Sequence, residues 1–264
     1  MKRLLPIIVL LAFGIGFFLI RPEEKILTGS AMGSQWHLEW RGKSPSPDEL
    51  AREVATTLEK WEQILSHWRA DSDLSRYNRG EAASAELTRV LELAEAVRVE
   101  SGGAFDHRML AQSHAAGFGP AGKGVDLSAI GKGFAVDRVG ETLRSLGVRD
   151  FIFELGGEVL TGDGEWKIGI EHPQPATSTI SHTRVLKNQA LATSGNYRQF
   201  HPEHGGLASH LLDPRDGKPI IRPPSSVSVI ARDCATADAW ATALFILGPD
   251  HPPPVGVECE WQVE

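Results

Sequence analysis

Only two cysteines, Cys234 and Cys259, stand among 264 residues. That excludes a disulfide scaffold and a cysteine-built metal centre, and leaves a single disulfide open. Positive charge is also short: 27 Lys and Arg against 34 Asp and Glu give a formal net charge of −7. Contacts along nucleic-acid phosphates need a basic face, so nucleic acid is excluded as the main partner. There is no internal repeat and no low-complexity stretch. What remains is an ordinary globular composition, 41% hydrophobic and 23% charged, in a chain long enough for one large domain or two small ones.

The one long apolar run is at the start. Lys2 and Arg3 precede an unbroken stretch from Leu4 to Ile20, a secretory targeting signal or a single membrane anchor. The run approaches the roughly 20 residues of a spanning helix. Arg21-Pro22-Glu23-Glu24 follows, offering neither a small-residue cleavage site nor a cysteine for lipid attachment. These features favour an uncleaved anchor over residues 1–24, with Lys2 and Arg3 cytoplasmic and residues 25–264 on the other side of the membrane.

In that body, helical spacing predicts helices from about Asp48 (Val54, Leu58, Trp61, Ile64, Leu65), over Glu86–Ser101, from Gly131 to a stop at Gly147, and over Ala235–Leu247. Thr28–Trp40 reads as one half-buried strand with a turn-like start, and Ser66–Gly80 as a polar, turn-rich segment. Further strands are expected at Phe151–Leu155, Trp166–Ile170 and Ser226–Ile230, with a hairpin from Tyr197–Phe200 and Ala208–Leu212. The tail Val257–Val263 alternates, placing Val257, Cys259, Trp261 and Val263 inward and Glu258, Glu260 and Gln262 outward. Short strands with segregated helices make an α+β fold.

Several patterns carry chemistry. Gly131-Lys132-Gly133 opens a helix, where glycines allow a ligand close to the backbone and free N–H groups suit a phosphate; a tight turn with a solvated lysine reads equally well. Asp238 and Thr242, four apart, share a helix face and offer the oxygen donors a hard cation takes, or form a solvated face. His210 lies in a strand running into Asp213-Pro214, as a positioned base or a histidine satisfied by a carbonyl. Trp68 stacks on a planar ligand or caps the core. His201 and His204, in a Pro/Gly loop, read as solvated. Gly117–Gly122 (GFGPAG) matches a dinucleotide fingerprint literally, yet no strand precedes it and Pro120 interrupts it, so it is a loop.

In order along the chain stand AMGS (31–34), RADSDLSRYN (69–78), GGAFD (102–106), VDLSAIGKGFAVD (125–137), ELGGEV (154–159), ATSGNYR (192–198), SHLLDPRDGKP (209–219) and ATADAWATALFILG (235–248). Together they resemble the ApbE-type flavin transferases, which move FMN from FAD onto a threonine of an acceptor protein. The resemblance implies a T-fold-like α+β architecture with antiparallel sheet and packed helices. It implies FAD contacts at Met32, Trp68 (where a tyrosine is common), Ala104, Phe105, Asp106, Asp126, Lys132 and Leu212. It implies Mg²⁺ on Asp238, Thr242 and the main-chain carbonyl of Ala129, with His210 as the base.

Three departures stand out. The 107–124 segment is short and lacks a helix and strand usual there; Pro249 and Pro252-Pro253-Pro254 replace a helix; and Asp216 replaces a hydroxyl residue. The expected partners are FAD and an electron-transfer protein of the membrane or periplasm bearing an FMN-binding domain. The expected location is the bacterial inner membrane with the catalytic domain in the periplasm, or the periplasm itself if the N-terminal segment is cleaved. Two rival readings use the same residues: an Mg²⁺-dependent FAD pyrophosphatase and a non-catalytic flavin-binding protein.

Overall fold

The computed structural model describes residues 24–174, 179–198, 200–203 and 206–263. The N-terminal run, His204 and the side chain of His201 lie outside what is described. No helix among the described residues is long and apolar enough to cross a membrane.

The first strand is in fact a hairpin. β1 (Lys25–Ala31) and β2 (Ser34–Arg41) pair antiparallel around Met32-Gly33, whose φ angles of 49° and 71° are both positive. A two-residue hairpin turn needs this left-handed geometry, which matches the twist of the strands. Alternation in β2 buries Trp36, Leu38 and Trp40 as expected. The helix α1 (Pro47–Leu65) starts where Ser46 accepts the Glu49 N–H and buries Leu50, Val54, Leu58, Trp61, Ile64 and Leu65. The turn-rich segment contains a short helix, α2 (Asp73–Asn78), capped by Ser72. Then come α3 (Ala85–Glu100), the short α4 (Leu110–Ala115) inside the abbreviated segment, and α5 (Gly131–Ser145).

The second half is mostly strand: β3 (Asp150–Leu155), β4 (Glu158–Thr161), β5 (Trp166–Glu171), β6 (Ile180–Leu186), β7 (Ala190–Gly195), β8 (Phe200–Glu203), β9 (Gly206–Asp213), β10 (Lys218–Arg222) and β11 (Ser225–Ala231). It closes with α6 (Cys234–Leu247) and β12 (Glu258–Val263). A seven-stranded antiparallel sheet runs β1-β2-β3-β4-β7-β11-β12; β8, β9 and β10 form a second sheet, and β5 with β6 a third.

The large sheet is covered on both faces. Phe151, Phe153, Leu160, Ala190, Ala192 and Val229 join the helices in the main core. Their alternates Ile152, Val159, Leu191 and Ile230 pack with Ile168, Ile170 and Leu186 of the β5–β6 hairpin. This corrects the tail. Glu260 is not simply outward but pairs with His182 and Arg184 of β6, while Val263, at the end of an edge strand, is exposed. Trp261 points to the helical side and stacks on Phe245 at 5.7 Å. Cys234 and Cys259 are both free thiols.

Candidate active site

Between the two halves lies a cleft of about 970 Å³. Its walls come from the loop after α3, the starts of α4 and α5, the β3–β4 turn, the β5–β6 hairpin, the end of β7, β9, and the middle of α6. Of the residues singled out in the sequence, Ala104, Phe105, Asp106, Asp126, Ala129 and Lys132 line it. So do His210 and Leu212 on β9, and Asp238 and Thr242 on α6. Met32 and Trp68 do not. Met32 sits in the hairpin turn, where its N–H donates to Glu62 Oε2 at 3.1 Å. Trp68 is 68% exposed, which overturns the core-cap reading; its ring lies 5.4 Å from that of His67.

The glycine-flanked lysine proves different from a phosphate cradle. Gly131 and Gly133 are within the first turn of α5, and both are buried. The Gly131 N–H donates to the Leu127 carbonyl, and the Gly133 N–H to Asp238 Oδ2 at 3.0 Å. Neither amide is left for an anion. A Cβ at position 133 would stand 2.4 Å from the Cys234 carbonyl oxygen and 2.8 Å from Asp238 Cβ. Glycine therefore permits the contact between α5 and α6. Gly133→Ala is expected to cost about 1–3 kcal/mol through overpacking. A lowered denaturation midpoint would show it, and an unchanged one would mean that the helices have room to spare.

α6 itself is anchored by carboxylates at its start. Asp233 accepts the Thr236 N–H at 2.9 Å, and Asp137 from α5 accepts those of Cys234 and Ala235 at 2.8 and 2.9 Å. Burial pushes Asp137 up to about 7, against the pull of those two amides. Asp238, one turn on, is 6% exposed. Burial holds its carboxyl above the usual range, opposed by Lys132 and the Gly133 amide. Lys132 Nζ lies 2.6 Å from Glu158 Oε1. Burial and then the Asp238 charge push Glu158 up, against Lys132. For Lys132 burial works downward, and the charges of Glu158 and Asp238 outweigh it. Thr242 Oγ1 is 3.4 Å from Ser194 Oγ. Asp238, Thr242 and the Ala129 carbonyl thus offer the cleft only oxygen donors, while the nearby Glu158 is engaged with Lys132 and its Oε2 is buried without a hydrogen-bond partner. This donor chemistry fits a hard divalent cation completed by neutral oxygens and substrate phosphate. Among the described residues no three His, Cys, Asp or Glu cluster as a metal-holding group.

Asp126 is a knot. Its Oδ1 lies 3.2 Å from His67 Nδ1 and accepts the Ser128 N–H at 2.9 Å, while Oδ2 accepts the Ser113 hydroxyl at 2.9 Å. Burial works upward, but His67 and Ser128 outweigh it and hold the carboxyl at about 2. A carboxylate depressed from its unfolded value of 3.8 adds stability that is complete above that value and is lost as pH falls toward 2. Asp126→Asn is therefore expected to lose about 2 kcal/mol at neutral pH. It should also flatten the dependence of stability on pH between those values, as read from denaturant midpoints across an acid series. Asp106 is likewise held low: burial opposes, and the paired Arg108 wins.

At the mouth, His210 is exposed on β9 between buried Ser209 and Leu211. The Phe118 ring meets the imidazole edge-on at 6.1 Å, so the rejected glycine-rich loop delivers an aromatic to this histidine. The following turn holds despite Asp216, whose carboxylate accepts the Lys218 N–H at 3.0 Å. Opposite, Tyr197 donates to Glu171 Oε2 at 3.3 Å, and Arg198 pairs with the same carboxylate.

Sequence reasoning assigned no role to His67, Ser113 or Glu158. Glu158 was visible as an acid directly after Gly156-Gly157, but its partner Lys132 is distant in the chain. His67 stood beside Trp68, and only the fold shows that its side chain turns inward onto Asp126.

A family model described as the ApbE family matches residues 32–124 and 121–254. The FAD:protein FMN transferase of Vibrio cholerae is 30% identical over 280 residues, spanning 88% of this chain and 84% of that one. Among solved structures, the flavin transferase ApbE from Vibrio cholerae aligns with a TM-score of 0.75 at 28% identity, covering 87% of this chain and 88% of that one. The apo flavinyl transferase ApbE of Pseudomonas stutzeri aligns at 0.74 and 27%, covering 88% and 87%. Seven of the eight motifs that resembled this family contribute residues to the cleft, the 69–78 motif being the exception, and the match runs over most of the chain: the protein belongs to the ApbE family.

Proposed function

We infer that this chain is an enzyme that transfers FMN from FAD to an acceptor protein and releases AMP. The observation that carries it is the convergence of Asp106, Lys132, Asp238, Thr242 and His210 in one cleft of a chain belonging to the ApbE family. The acceptor group is a threonine hydroxyl. His210, at the mouth, takes its proton, and the oxygen attacks the FMN-side phosphorus in line. The phosphorus–oxygen bond to AMP breaks, AMP leaves with the bridging oxygen, and a phosphoester joins threonine to FMN. Asp238, Thr242 and the Ala129 carbonyl would hold Mg²⁺. When bound, the ion supplies neutralisation of the pyrophosphate charge, worth several kcal/mol in the transition state. Lys132 adds positive charge beside the phosphates.

The N-terminal run anchors the chain in the inner membrane, and the cleft faces the periplasm. There a covalent link retains flavin on an electron-transfer partner with an FMN-binding domain. The test is to incubate the full-length chain with FAD, Mg²⁺ and such an acceptor. Flavin fluorescence on the denatured acceptor, with AMP in equal amount, is the expected result. AMP with free FMN and a dark acceptor would make the enzyme a pyrophosphatase, and bound FAD without AMP would make it a carrier.

A further inference from the structure

Among the charged groups of the cleft to which this reaction gives no part is Glu158. Glu158 opens β4 directly after the Gly156-Gly157 turn and is 5% exposed. Its Oε1 accepts from the Lys132 ammonium at 2.6 Å, and its Oε2 is buried with no hydrogen-bond partner among the described residues. The charge of Asp238 also acts on it, and Lys132 feels both carboxylates. One half-buried ammonium thus serves two buried acids. Asp238 and Glu158 are fixed by α6 and β4, whereas the lysine stem is flexible and is the member that can turn between them. In this structure its hydrogen bond goes to Glu158, while Asp238 Oδ2 receives the Gly133 N–H.

An ammonium turned onto Asp238 would compete with a divalent cation for the same oxygens, and at such range in a poorly screened site the repulsion is severe. We propose that Glu158 is a positioning residue that draws Lys132 away from Asp238 and so keeps that carboxylate open to a divalent cation. The inference rests on the cation reading of Asp238 and Thr242 given above.

The experiment titrates the FAD-free, full-length protein with Mn²⁺ as the probe and reads bound ion by electron paramagnetic resonance. Wild type is expected to bind Mn²⁺ saturably and Asp238→Ala to lose it. Glu158→Gln should bind roughly tenfold more weakly, because Lys132 then turns to Asp238. Lys132→Met should bind at least as tightly as wild type, since its competitor is gone. The double variant Glu158→Gln/Lys132→Met should recover to near the wild-type affinity. If Glu158 were instead a cation ligand, the double variant would stay as weak as Glu158→Gln, and the proposal would fall. It would also fall if Glu158→Gln bound normally, or if Lys132→Met alone bound more weakly; the latter holds even where Glu158→Gln does not fold. A wild type that binds no Mn²⁺ would remove the cation reading itself, and this inference with it.

Discussion

Asp238→Ala should lower the rate of FMN transfer by roughly three orders of magnitude, about 4 kcal/mol of transition-state stabilisation. The position explains the size. Asp238 is the only carboxylate among the three proposed cation donors; Thr242 and the Ala129 carbonyl are neutral. It is set by a helix whose start is tied to Asp137 and Asp233, and its Oδ2 is held by the Gly133 amide. Little motion is therefore available for another acid to replace it. Glu158 is fixed on β4 and engaged with Lys132. The loss should not come from unfolding: alanine leaves the Gly133 N–H without its acceptor, yet it also relieves a buried acid whose carboxyl burial holds above its usual range. Asp238→Asn separates charge from shape, keeping an oxygen for the amide while removing the charge, and should be nearly as inactive. Initial rates of acceptor labelling at saturating FAD, over a Mg²⁺ series, make the measurement. If either variant works at near the wild-type rate with unchanged Mg²⁺ dependence, Asp238 is not the cation's anchor.

Much of this site was legible because the family motifs are local in sequence and the fold joins them. The four long helices could be read from their patterns of apolar residues; in the structure Ser46, Ser84 and Asp233 cap three of them, each accepting an N–H from the first turn. Strands were harder. β7 consists of small residues, Ala-Leu-Ala-Thr-Ser-Gly, with little strand propensity. It is a central strand because Ala190 and Ala192 give room for the core while Leu191 packs under the β5–β6 hairpin. β6 shows no alternation because most of its residues are exposed. The glycine-flanked lysine misled for a related reason. Composition says that the backbone can come close to something, and only the structure shows that at Gly133 the something is α6. Glu158 and His67 depend on partners far away in the chain, which no local pattern reveals.

His210→Ala should lower turnover by about 10²–10⁴ while leaving FAD affinity nearly unchanged. The argument is again one of place. β9 pairs with β8 on one side and β10 on the other, and Ser209, Leu211 and Leu212 around the histidine are all buried. The backbone is thereby held while the imidazole itself stays at the open mouth, against the edge of Phe118. A side chain there can meet an incoming hydroxyl but has little to offer a flavin already seated within the cleft. Truncation should therefore reach the proton-transfer step and spare binding. Two measurements on the same variant separate these effects: quenching of FAD fluorescence for affinity, and labelling rates at saturating FAD for turnover. Added imidazole should restore part of the lost rate, because the space vacated at the mouth is open to solvent and the missing function is acceptance of a proton. A variant that labels the acceptor at the wild-type rate would remove His210 from the chemistry. One that loses FAD affinity in step with turnover, and gains nothing from imidazole, would make it a flavin contact instead.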